Sequence, residues 1–152
     1  MLGRAHNCTL CALALYLIYM RYLGIDYGKK RTGIALSDEG GVFAFPHGIF
    51  NTDALLMQNI QNICSEESVG TIVMGESRTY QGQKNPIMKK IEMFKKKLET
   101  ETGIPVVFEP EMLTSQEARR MKEEGDKTFV DDSAAALILQ SFLDKKNNNG
   151  II

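Results

Sequence analysis

The sequence predicts a single α/β domain built on a mixed sheet. Three observations predict it. Three strand-like runs follow one another, Arg21–Asp26, Thr32–Ser37 and Val42–Phe50, joined by segments too short for a helix. Helical periods then alternate with short apolar runs, the pattern of crossover connections. The 152 residues are 43% hydrophobic and 24% charged, an ordinary globular balance with enough apolar surface for one core.

Each element has local reasons. Arg21–Asp26 carries Tyr22, Leu23 and Ile25 and ends in an acid. The turn Tyr27–Arg31 is basic and contains Gly28, and the second strand begins at once. Gly40-Gly41 turns into the third strand. Asn51, Thr52 or Asp53 is positioned to cap a helix running to about Glu67, with Leu55, Leu56, Ile60 and Ile63 at helical spacing. Val69–Gly75 reads as a short buried strand. Pro86–Thr102 reads as a helix with Ile87, Ile91, Phe94 and Leu98 on one face. Val106–Phe108 forms the core of the fifth strand. Thr114 and Glu117 make a capping box for a helix to about Glu124. Asp131–Lys145 is the last helix, apolar at Ala135, Leu137, Ile138, Phe142 and Leu143. The order βββαβαβαα is that of the ribonuclease-H-like fold. It implies a five-stranded mixed sheet in the order 3-2-1-4-5 with helices on both faces. The carboxyl ends of strands one, four and five then share one rim, where α/β sheets bind ligands.

Residues 20–145 are expected to form this domain. Before them, Leu10–Met20 is apolar and follows Arg4. The run is short for a transmembrane helix, which needs ~20 residues. A signal segment is one reading, but no small-x-small cleavage site precedes Met20. The preferred reading treats residues 1–19 as an extension and Met20 as the natural opening. Residues 146–152 are expected to be a flexible tail. Cys8, Cys11 and Cys64 do not make a disulfide framework and suit a reducing cytoplasm. With His6 and His47 they make no zinc quartet. The net charge of −1 means that any contact with nucleic acid must come from a local patch.

The chemistry concentrates on the predicted rim. Asp26 is positioned to ligate a hard cation, which offsets the charge of a phosphodiester transition state and activates a water. The competing role is to organise the turn before Gly28. Lys29, Lys30 and Arg31 beside it suit a phosphate backbone or, equally, a solvated hairpin. Glu76 follows strand four and becomes a neighbour of Asp26 if strands one and four adjoin. Glu111 follows strand five; it suits a metal or the positive end of the next helix. Glu109 is expected on that strand's solvent face. Asp131 opens the last helix, as a cap or as an acid delivered to the rim by the small residues Ala134-Ala135-Ala136. Asp132 reads as a cap or supporting acid. Arg78, Lys84 and Asn85, in the loop after strand four, suit substrate contact or a plain crossover. Lys89, Lys90 and Lys95–Lys97 read as the wet face of a helix.

Together these segments resemble the YqgF/RuvX family, described both as Holliday junction resolvases and as pre-16S rRNA nucleases. Leu23–Asp38, Ile72–Gly75, Val106–Ala118 and Val130–Asp144 carry the resemblance, the first and last most specifically. It implies an RNase-H-like nuclease using Mg²⁺ or Mn²⁺, with the family's acids on Asp26, Glu111 and Asp131. It further implies a cytoplasmic protein, monomeric or homodimeric, that processes the 5′ end of precursor 16S rRNA. The alternatives are resolution of branched DNA, which demands a dimer, and a catalytically weak nucleic-acid-binding module. Two departures stand out. Gly75-Glu76-Ser77 replaces the family's Gly-Leu-Pro or Gly-Phe-Pro, and Pro110-Glu111-Met112-Leu113-Thr114 replaces Asp-Glu-Arg-Leu-Thr. Glu76 is similar to the strand-four glutamate that ligates metal in related junction resolvases, so it is a candidate additional acid. The Asp-x-Gly opening is shared with sugar kinases and actin-like ATPases, but these need a second copy of the fold.

Overall fold

A computed structural model of the protein describes residues 20–76, 86–110 and 129–149. Its strands are β1 (Arg21–Asp26), β2 (Arg31–Ser37), β3 (Ala44–Asn51), β4 (Val69–Glu76) and β5 (Val106–Pro110). Its helices are α1 (Leu56–Glu66), α2 (Met88–Thr102) and α3 (Phe129–Asn149). The strands form one sheet in the order β3-β2-β1-β4-β5, so β1 is central. β1–β2 and β2–β3 are antiparallel; β1–β4 and β4–β5 are parallel. This is the mixed ribonuclease-H-like arrangement the element order implies. The helix predicted over Thr114–Glu124 lies outside the described residues.

Strand alternation divides the core in two. Leu23, Ile25, Ile34, Leu36, Ile72, Met74 and Val106 meet α1 and α2 on one face. Ala35 and Val73 meet Ala135, Ile138, Leu139 and Leu143 of α3 on the other. Gly24 sets the distance of α3. A Cβ there would lie 2.8 Å from Leu139 Cβ and 2.9 Å from the Ala135 carbonyl oxygen. The predicted close approach through the alanine run is thus made by Ala135, seated on a strand glycine.

Four expectations shift. The third strand begins at Ala44 rather than Val42, because the Asp38 carboxylate accepts the N–H groups of Val42 (2.8 Å) and Phe43 (3.0 Å) and holds them in a turn. Asp53 accepts the Leu55 N–H (2.9 Å), so the chain turns once before α1 starts at Leu56. Glu109 does not face solvent. It is 4% exposed beneath α3, where Ser141 Oγ (3.0 Å) and Lys145 Nζ both donate to its Oε1. The last helix continues past Lys145 to Asn149, and Asn147 Nδ2 donates to the Gly41 carbonyl (3.1 Å).

Candidate active site

Asp26 ends the central strand, half-buried at the rim. Its face follows from alternation. The Tyr22 ring packs tilted against Phe142 of α3 at 5.8 Å and Gly24 touches α3, so Asp26 continues the α3 side. Its cross-strand partner on β2 is Gly33. On β4 the pairing Ile25–Met74 makes Gly75 level with Asp26, and Gly75 pairs with Glu109. A single row therefore reads Gly33, Asp26, Gly75, Glu109. The acid thus has a glycine as its neighbour on each adjoining strand. Glu109 stands two strands away, ~10 Å, with Oε1 engaged by α3.

Glu76 is brought to the same rim but not to the same face. It lies two residues beyond Met74, whose side chain packs with α1 and α2. Alternation therefore sets it opposite Asp26. The expected neighbour relation holds for the strands and not for the side-chain directions.

α3 brings its first turn towards Asp26. The helix runs antiparallel to β1, with Phe142 over Tyr22 and Ala135 and Leu139 over Gly24. Two residues further along β1 is Asp26, ~7 Å on. One helical turn before Ala135 is Asp131, ~6 Å on in the same direction. The backbone thus carries Asp131 to the level of Asp26. Glu111, Arg78 and Lys84 lie outside the described residues. Among the described residues no three His, Cys, Asp or Glu side chains converge.

The basic turn is built rigidly. A Cβ on Gly28 would lie 2.3 Å from the Arg31 carbonyl oxygen, so only glycine fits. Thr52, just past β3, ties the turn from outside. Its hydroxyl donates to the Gly28 carbonyl (2.8 Å) and its N–H to the Lys30 carbonyl (2.9 Å). Thr32 shares a hydroxyl–hydroxyl bond with it (2.8 Å). Lys29, Lys30 and Arg31 are all exposed on this fixed loop. Sequence reasoning missed Thr32 and Thr52, because only pairing of β2 with β3 joins them. By sequence alone Thr52 reads only as a helix-capping candidate.

Two open depressions, about 620 and 550 Å³, lie at the opposite rim. The first is lined by Arg21, Asp38, Glu39, His47 and Glu67, the second by Cys64, Glu101 and Pro105 among others. The N–H groups of Phe43 and Val42 hold the Asp38 carboxyl below the ordinary carboxylate range. Burial pushes the Cys64 thiol up to about 11. Both belong to the far rim and not to Asp26.

Residues 20–145 match the family model described as RuvX: Holliday junction resolvase. A protein of Lawsonia intracellularis named "Putative pre-16S rRNA nuclease" is 34% identical over 140 residues, 87% of this chain and 99% of its own. A protein of the same name from Nitratidesulfovibrio vulgaris is 36% identical over 132 residues, 82% of this chain and 93% of its own. Among solved structures, Thermus thermophilus RuvC in complex with a Holliday junction substrate superposes with a TM-score of 0.53 at 16% identity, covering 83% of this chain and 95% of that one. The Fowlpox virus resolvase bound to Holliday junction DNA gives 0.54 at 11% identity, covering 83% and 98%. At these identities the structural likeness speaks for the fold alone.

Proposed function

We propose the function from the premise that this chain belongs to the RuvX family, whose model spans residues 20–145. The protein is a nuclease, a hydrolase of phosphodiester bonds. Precursor 16S rRNA is the preferred substrate and branched DNA the alternative. The names of its relatives support the first and the family description the second. The single observation that carries the reading is the family match over the whole predicted domain.

Two features of the rim support a divalent cation. Asp26 offers hard oxygen donors between two glycines, and α3 brings the position of Asp131 level with it. We assign Mg²⁺ or Mn²⁺ to Asp26, Glu111 and Asp131. When bound, the cation supplies charge stabilisation to the phosphoryl oxygens. Asp26 would hold it from the central strand of the sheet. Lys29, Lys30 and Arg31, on a loop that Thr52 pins, hold the phosphate backbone in register with Asp26. Arg78 and Lys84 are assigned to the same substrate. The facing rule sets Glu76 behind the sheet from Asp26, so we give it a supporting part. The free Cys64 thiol suits the cytoplasmic setting that we assign. Among the described residues, no helix is long and apolar enough to cross a membrane.

The test is cleavage of a labelled precursor-rRNA 5′ fragment and of a four-way DNA junction, with and without Mg²⁺ or Mn²⁺, beside Asp26→Asn. Metal-dependent cutting abolished in the variant is expected, with the RNA preferred. Equal cutting by a folded Asp26→Asn protein would end the assignment.

A further inference from the structure

We propose that the first turn of α2, through Lys89 and Lys90, is a second phosphate-contacting surface of the nuclease. It extends the footprint of the nucleic acid from the β1–β2 turn across the rim, and it rests on the nuclease reading above.

Position comes first. α2 follows β4, which ends at the Asp26 rim, and precedes β5, which starts at the far rim. Its 15 residues cover ~22 Å, the height of the sheet, so Met88–Ile91 stands at the Asp26 rim. A direct contact confirms this placement. Tyr27, the residue after Asp26, packs its ring on Phe94 of α2 at 4.9 Å. Lys90 lies one helical turn from Phe94 towards the rim.

The charges of α2 run against what a helix wants. The positive end of the dipole favours acids and the negative end favours bases. Here the first turn has no acid and the last turn no base. Lys89 and Lys90 occupy the first turn, and Glu99 and Glu101 the last. Helix stability therefore gives no reason for the two lysines. A local rule broken without local gain points to another role.

Their surroundings define that role. Lys95 is committed to Glu99 (3.2 Å) and to the Phe108 ring (5.5 Å). Lys89 and Lys90 are exposed and pair with no acid among the described residues. Met93, 71% exposed, continues the same surface. The two exposed lysines give a polyanion a local positive surface near the basic turn. The matching ligand chemistry is the phosphodiester backbone, read without regard to sequence.

The test measures binding of the full chain to a labelled RNA duplex and to a four-way DNA junction by fluorescence anisotropy. EDTA prevents cutting, and the salt concentration is varied. The variants are Lys89→Gln/Lys90→Gln and, as a charge-matched control further along α2, Lys96→Gln/Lys97→Gln. If both lysines hold duplex phosphates, the slope of log affinity against log salt becomes shallower by ~1.8 in the first variant. The control slope stays unchanged. The arm with the larger change identifies RNA or DNA as the nucleic acid that reaches α2. Thermal stability of the first variant is expected to hold or rise, since its lysines oppose the dipole. An unchanged slope, an equal change in the control, or a marked loss of thermal stability would each overturn the proposal. No binding by the native chain to either probe would instead overturn the nuclease reading on which it rests.

Discussion

Replacing Gly24 with alanine tests how α3 is seated on the sheet. The added Cβ would stand 2.8 Å from Leu139 Cβ and 2.9 Å from the Ala135 carbonyl oxygen. Carbon atoms in contact prefer about 3.5–4.0 Å. Neither neighbour is the loose end of a flexible side chain, so the helix must withdraw by roughly 1 Å. The withdrawal loosens a face where Ala135, Ile138, Leu139 and Leu143 are at most 2% exposed. Overpacking of this kind costs about 1–3 kcal/mol. For a domain of this size that lowers the melting temperature by roughly 3–12 °C. Gly103→Ala is the control. Gly103 has φ +70° and nothing within 4 Å of its Cβ position, so it reports left-handed strain without a clash, about 1 kcal/mol. The same withdrawal moves the first turn of α3 away from Asp26, and ~1 Å of misplacement can cost ~100-fold in rate. The assay is a thermal melt beside metal-dependent cleavage below the melting temperature. A Gly24→Ala protein that melts within about 1 °C of the native one and cuts at the native rate would refute the packing argument.

Three further outcomes are expected. Lys145→Met should destabilise by about 2 kcal/mol, because it strips the cation from a carboxylate that is 6% exposed. Adding Glu109→Gln should recover part of that loss in a denaturant titration; an additive double variant would remove the ion pair from the account. Stability should fall as acid protonates Asp38. Its carboxyl is depressed in the folded state, so its contribution is complete above the ordinary carboxylate range and fades as pH drops through the folded value. Asp38→Asn should therefore flatten the acid limb of a stability–pH curve, and an unchanged limb would contradict this. Cys64, buried and with its thiol pushed up to about 11, should resist iodoacetamide at pH 8 until the protein unfolds. Mass-spectrometric mapping of the Cys64 peptide checks this, and rapid labelling of the native protein would refute it.

Local physics made much of this molecule legible in its residues. Alternation in Arg21–Asp26, the Gly28 turn and the helical spacing of Ile87, Ile91, Phe94 and Leu98 each depend on neighbours a few residues away. The order of these elements was enough to imply the mixed sheet. The acid at the end of β1 and the cations after it were equally local. Contacts between distant segments decided the rest. Glu109 looks like a surface residue until Ser141 and Lys145, from a helix far along the chain, close over it. Thr52 becomes the anchor of the basic turn only when β3 pairs with β2. The register of β4 against β1 makes Gly75 the neighbour of Asp26 and turns Glu76 to the other face. Lys89 and Lys90 cannot be told from any wet helix face until the ring of Phe94 meets Tyr27 and brings them to the rim. A side chain's period is set by its own strand or helix, whereas its partners are set by register and packing, which no stretch of sequence contains alone.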